Sequence, residues 1–130
     1  PWVGLLLKDA AQTLALTPRM DQLRHWVGVI APHPAGAETD YEVRAFAPSA
    51  GMPEDPVTGS LNAGLAQWLI AADLAPTSYT VAQGTVLQRA GRVFIDQRDD
   101  TVWVGGHTTT RISGTVRFDP PAERDVTDAR

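Results

Sequence analysis

One long segment of this chain keeps a helical period. Leu61, Leu65, Trp68, Leu69 and Ala72 recur at that spacing, so residues 58–72 are predicted to form a helix with one strongly apolar stripe. Most other apolar residues fall in short runs of strand length, closed by Gly, Pro or Asp. A lone long helix has to bury its stripe, and strands are the surface available to it. The predicted class is therefore α+β, with a curved, mostly antiparallel sheet wrapped around one central helix.

Ahead of that helix, residues 2–7 read as a buried strand, because the apolar run before Lys8-Asp9 is too brief for a core helix. Thr17-Pro18 offers a hydroxyl N-cap and a proline at the first helical position, which predicts a short helix over residues 18–26. Residues 27–30 form a second strand, broken by Pro32 and Pro34. Residues 41–46 alternate, with Tyr41, Val43 and Ala45 on one face and Glu42, Arg44 and Phe46 on the other, and a turn-rich segment over residues 47–56 follows. After the helix, residues 79–82, 86–89, 92–96, 102–104 and 108–118 read as strands of a β-meander. Residues 1–118 are expected to make a single lobe, and residues 119–130, polar and led by Pro120-Pro121, a disordered tail.

A chain of 130 residues can bury a core without covalent staples. The absence of cysteine excludes disulfides, thiolate metal sites and a cysteine nucleophile. A formal charge of -4, with no run of Lys or Arg, argues against nucleic acid as a partner. No apolar stretch approaches the ~20 residues of a membrane span, and the start Pro1-Trp2-Val3-Gly4 lacks the marks of a signal peptide. A cytoplasmic location without a membrane partner is expected. The chain opens on proline and enters a strand at once, so an upstream segment is expected as well.

Reactive side chains meet an unusual backbone at Glu54-Asp55-Pro56-Val57-Thr58-Gly59-Ser60, which feeds into the central helix. The first amides of a helix lack internal partners and lie at its positive end, so Thr58, Gly59 and Ser60 would cradle an anion such as a carboxylate. Ser60 adds a hydroxyl, and Asp55, held out of α geometry by Pro56, would stand before the helix and exchange a proton or hold an amine. The same residues also suit an ordinary turn and helix cap. His25, His33 and His107 show no metal-ligand spacing, and no metal site is expected.

Arg44-Ala45-Phe46-Ala47-Pro48, followed by Gly51-Met52-Pro53-Glu54-Asp55-Pro56-Val57-Thr58-Gly59-Ser60-Leu61-Asn62-Ala63-Gly64-Leu65, resembles the signature of the phenazine-biosynthesis PhzF-like family. Gln83-Gly84, Arg89-Ala90-Gly91-Arg92 and Val102-Trp103-Val104-Gly105-Gly106 follow in the family's order, and the resemblance spans about residues 5–116. It implies the diaminopimelate-epimerase-like fold: two lobes, each a curved sheet around a central helix, with the active site in the cleft between them. It further implies isomerisation or epimerisation by proton transfer, with no metal or organic cofactor. Carried over residue by residue, Asp55 and Ser60 are the catalytic candidates that bind and orient the substrate, and Gly59 contributes its backbone. The family's principal glutamate and companion histidine lie in the first lobe, and no segment here resembles their motifs. This chain matches the C-terminal lobe alone, so the implied partners are a small carboxylate-bearing metabolite and an N-terminal PhzF-like lobe. The alternative is a stand-alone, non-catalytic binding or dimerisation module that pairs with a second copy. Glu54 is not expected to replace the missing base, because two adjacent carboxylates diverge along the backbone and the family pattern also has a glutamate there without making it the principal base.

Overall fold

In the computed structural model, which describes residues 2–118, the strands Trp2–Leu6 (β1), Trp26–Pro32 (β2), Tyr41–Ala47 (β3), Met52–Asp55 (β4), Ser78–Gln83 (β5), Gly91–Arg98 (β6) and Thr101–Gly106 (β7) form one sheet. Its order is β1-β2-β3-β5-β6-β7, with β4 paired to β3 off this path. Four pairings are antiparallel. The other two, β1 with β2 and β3 with β5, are parallel. Parallel neighbours need a crossover, and helices Ala10–Ala15 (α1) and Gly59–Ala71 (α2) lie in those two connections. The result is a curled sheet around α2, the expected α+β lobe.

Leu61, Leu65, Ala66 and Leu69 of α2 pack on Ile30, Val43, Val81, Val93 and Ile95 from four strands. The other face of β3 is covered as well: Arg44 donates from Nη1 to the Thr13 and Leu16 carbonyls at the end of α1, and its guanidinium lies over the Phe46 ring. With both faces covered, β3 is buried throughout its length. Trp68, placed by its spacing on the buried stripe, flanks it instead and stands 41% exposed.

Several local expectations are corrected. The first helix is α1, not residues 18–26, where only a 3-10 turn at Met20–Gln22 forms. Asp9 caps α1 by accepting from the Gln12 amide at 2.9 Å, whereas Thr17-Pro18, with the backbone an N-cap would need, is followed by only one 3-10 turn that buries no side chain. Met52–Asp55 is a strand within the segment read as turn, with an irregular register against β3. Residues 86–89 hold no strand: Thr85–Leu87 is a 3-10 turn between two residues in left-handed backbone. Residues 108–118 form no strand either, and Ile112 and Phe118 are 93% and 86% exposed. Among the described residues, β-propensity there lacks a neighbouring strand to pair with. The tail expected at residues 119–130 lies outside the described residues. Among the described residues, no helix is long and apolar enough to cross a membrane.

Candidate functional site

The site is built where β4 hands over to α2. Asp55, opposite Ala45, ends the strand, and Thr58 is the N-cap residue of α2 in extended backbone. A threonine at this position ordinarily turns its oxygen onto the helix amides. Thr58 makes no such bond. Its hydroxyl donates to Asp55 Oδ2 at 2.7 Å and accepts from Gln83 Nε2 at 2.9 Å. Gln83, fully buried at the end of β5, also donates from Nε2 to the Asp55 carbonyl at 2.9 Å. Its Oε1 accepts from the Thr58 amide at 3.2 Å and from Asn62 Nδ2 at 2.8 Å. Gly84, at φ +86, lets this corner approach the turn: a Cβ there would meet the Pro56 carbonyl at 2.7 Å.

The consequence is an uncapped helix N-terminus. The first intrahelical bond in that turn runs from the Asn62 amide to the Thr58 carbonyl at 3.1 Å, and the first turn carries no acid. Gly59 and Ser60 are exposed, and their amides have no protein partner among the described residues. Such amides, at the positive end of a thirteen-residue helix, suit an anion. Ser60 Oγ accepts from Trp2 Nε1 at 3.2 Å, which leaves its own proton available to a ligand. From Ser60 an open groove of about 420 Å³ runs between β1 and α2, past Trp2, Gly4, Gly64, Leu65 and Trp68.

The structure joins Asp55 directly to Thr58 and places Ser60 on the open side of the same turn. The Thr58 amide, counted among the cradle donors, is taken up by Gln83, so Gly59 and Ser60 are the donors left free. Glu54 is committed elsewhere: Arg44 grips its carboxylate with two bonds of 2.8 Å, at 4% and 9% side-chain exposure. It is a structural ion pair, not a substitute base. His33 Nε2 lies 3.2 Å from Glu42 Oε2, and His107 packs edge-on against Phe94 with ring centroids 5.0 Å apart. Among the described residues, no three or more His, Asp or Glu side chains gather where they could hold a metal ion. Sequence reading assigned no role to Gln83 and Asn62. A polar residue ending an apolar strand, and another beside Leu61 on the core helix, were the signals available.

The motif order is matched by a model of the family described as phenazine biosynthesis-like protein (PhzC-PhzF), which covers residues 1–114. The chain belongs to this family. Its PhzF-like sequence is 32% identical over 126 residues to antisense-enhancing sequence 1 of Schizosaccharomyces pombe, covering 87% of this chain and 42% of that protein. It is 35% identical over 93 residues to an uncharacterized isomerase of Pseudomonas aeruginosa, covering 72% and 34%. The fold is similar to a PhzF-family protein of Enterococcus faecalis, with TM-score 0.63 and 27% identity over 79% of this chain and 39% of that one. It is also similar to a phenazine-biosynthesis PhzC/PhzF protein of Clostridium difficile, with TM-score 0.68 and 27% identity over 90% and 45%. This PhzF-like lobe therefore spans less than half the length of each of these relatives.

Proposed function

We propose that this chain is the C-terminal half of a PhzF-like isomerase or epimerase that moves a proton on a small carboxylate-bearing metabolite without a cofactor. The observation that carries the reading is that, among the described residues, the Gly59 and Ser60 amides are free and the Asp55 carboxylate beside them accepts on Oδ2 alone. The amides and the Ser60 hydroxyl bind the substrate carboxylate, and Asp55 Oδ1 orients a polar substituent or relays a proton. The principal base comes from an N-terminal PhzF-like lobe across the cleft, since proton transfer needs a group within hydrogen-bond reach of the proton moved. To test this, the chain is combined with such a lobe in deuterated buffer, and label entry into amino- and hydroxy-carboxylic acids is followed by mass spectrometry. The complex should exchange label and the chain alone should not. Asp55→Asn and Ser60→Ala should each slow exchange at least about 100-fold, the usual loss when a general acid or an oxyanion donor is removed. Parent-like exchange by the Asp55→Asn complex defeats the role given to Asp55.

A second reading, a non-catalytic module that pairs with another copy, draws on the apolar residues left open along β1. Val3, Leu5 and Leu6 are exposed on an edge strand, the kind of edge that recruits a further strand. Sedimentation as a monomer at high concentration counts against it, and a two-fold dimer supports it.

A further inference from the structure

Gln83 is bound at each end of its side-chain amide by a backbone group whose hydrogen-bonding role is fixed. Its Oε1 faces the Thr58 amide, which can only donate, and its Nε2 faces the Asp55 carbonyl, which can only accept. The side-chain amide is therefore not interchangeable end for end. Its second Nε2 proton goes to Thr58 Oγ1, so the threonine's own proton has to point elsewhere, and it points to Asp55 Oδ2 at 2.7 Å. The direction of each bond in this chain follows from the orientation of one buried amide.

We propose that Gln83 is a positioning residue that keeps the N-terminus of α2 open by holding the Thr58 hydroxyl away from the amides it would otherwise cap. The proposal rests on the anion-site reading above and adds a residue that touches no substrate. An N-cap threonine accepts from the second or third helical amide, here Ser60 or Leu61. Both Thr58 and any carboxylate ligand compete for that end of the helix. While Gln83 donates to Thr58 Oγ1, rotating the hydroxyl onto the helix would break two bonds and strand a buried Nε2 proton. Without that donor one of the two bonds is already gone and no Nε2 proton is stranded, so rotation gives up only the bond to Asp55 and gains a helix amide. Removing Gln83 should thus close the site by self-capping, not merely loosen it.

The test uses amide hydrogen exchange and a benzoate titration, both read by NMR at Gly59, Ser60 and Leu61 in the chain as it stands. Gln83→Met should protect the Ser60 or Leu61 amide about tenfold more than in the parent and weaken benzoate binding about tenfold, the size of an ordinary cap. In the double variant Gln83→Met/Thr58→Val no hydroxyl remains to cap, so the extra protection should vanish and benzoate binding should recover towards the parent. General structural damage predicts the opposite order, with the double variant the weaker binder. If Gln83→Met does not fold, Gln83→Glu, which keeps an acceptor for the Thr58 amide but lacks the donor to its hydroxyl, should move both readouts the same way. Parent-like exchange at Ser60 and Leu61 in the folded variant, or a double variant no better than the single, overturns the proposal. A parent that ignores benzoate while the single variant gains protection refutes the anion site and leaves the role of Gln83 standing.

Discussion

Gly28 on β2 sets how closely α2 approaches the sheet, and Gly28→Ala should therefore disturb both stability and the site. A Cβ at this position would lie 2.1 Å from Leu61 Cδ1, 2.7 Å from Cδ2 and 2.9 Å from Cγ. Carbon atoms pack at about 3.5 Å or more, so the Leu61 side chain or the helix has to retreat by about 1.4 Å. Leu61 is 1% exposed and close-packed in the core, so this displacement is not absorbed by solvent. Overpacking of this kind costs about 1–3 kcal/mol, and contact with three atoms at once puts Gly28→Ala at about 2–3 kcal/mol. Leu61→Ala alone should cost about 2–5 kcal/mol through the cavity it leaves. In the double variant the new methyl occupies part of the vacated space, so its destabilisation should fall short of the sum by about 1–3 kcal/mol. Urea unfolding followed by tryptophan fluorescence measures all three. Leu61 follows Gly59 and Ser60 on the first turn, so benzoate binding should weaken in Gly28→Ala and return in part in the double variant. Strict additivity, or a Gly28→Ala variant within about 0.5 kcal/mol of the parent, would refute this account of the packing.

Three further outcomes follow from the same structure. Arg44→Met should cost about 3–5 kcal/mol in urea unfolding because it strands the buried Glu54 carboxylate, and Arg44→Met/Glu54→Leu should recover much of that loss; independent effects would contradict the pairing. Burial first, and then the neighbouring Tyr41, hold the Tyr79 phenol well above the ordinary tyrosine value of 10.0. The unfolded chain therefore ionises first, so the associated stability is full below about pH 10 and is lost as pH rises beyond it. Tyr79→Phe should lessen the fall in urea midpoint between about pH 8 and about pH 11, and an undiminished fall would contradict this assignment. Ile112→Asp should change stability by less than about 0.5 kcal/mol, because the side chain is 93% exposed, and a larger loss would mean that residues 108–118 pack on the lobe.

What the sequence disclosed and what it withheld divide along physical lines. α2, β3 and β5 were legible because each carries a period that only one kind of packing satisfies, and the PhzF-like motifs gave the lobe. α1 was missed because six residues hold too few apolar positions to show a period, and its stability comes from Asp9 at one end and Arg44 at the other. Arg44 reaches α1 across about thirty positions of sequence, a tertiary contact that local capping rules do not see. Residues 108–118 failed for the converse reason: a strand is a relation between two segments, and among the described residues no second segment pairs with them. At the site, Asp55, Gly59 and Ser60 were legible from the turn, whereas Gln83 acts through four hydrogen bonds that converge only after β5 has been laid beside β3.

The adjacent acids show why the missed strand β4 matters to the chemistry. Glu54 and Asp55 are one residue apart, and in a turn either could face the helix. In a strand, successive side chains leave on opposite faces. Pairing of Asp55 with Ala45 fixes the phase. Glu54 then meets Arg44 on the face covered by α1, while Asp55 meets Thr58 at the mouth of α2. A one-residue slip of β4 would reverse the faces, so that a slip placing Glu54 where Asp55 now stands would put Pro53 opposite Arg44 and leave the guanidinium without its carboxylate. The identity of the acid at this site is thus set by strand register, and the Arg44–Glu54 pair, remote from any substrate, is the lock that holds that register.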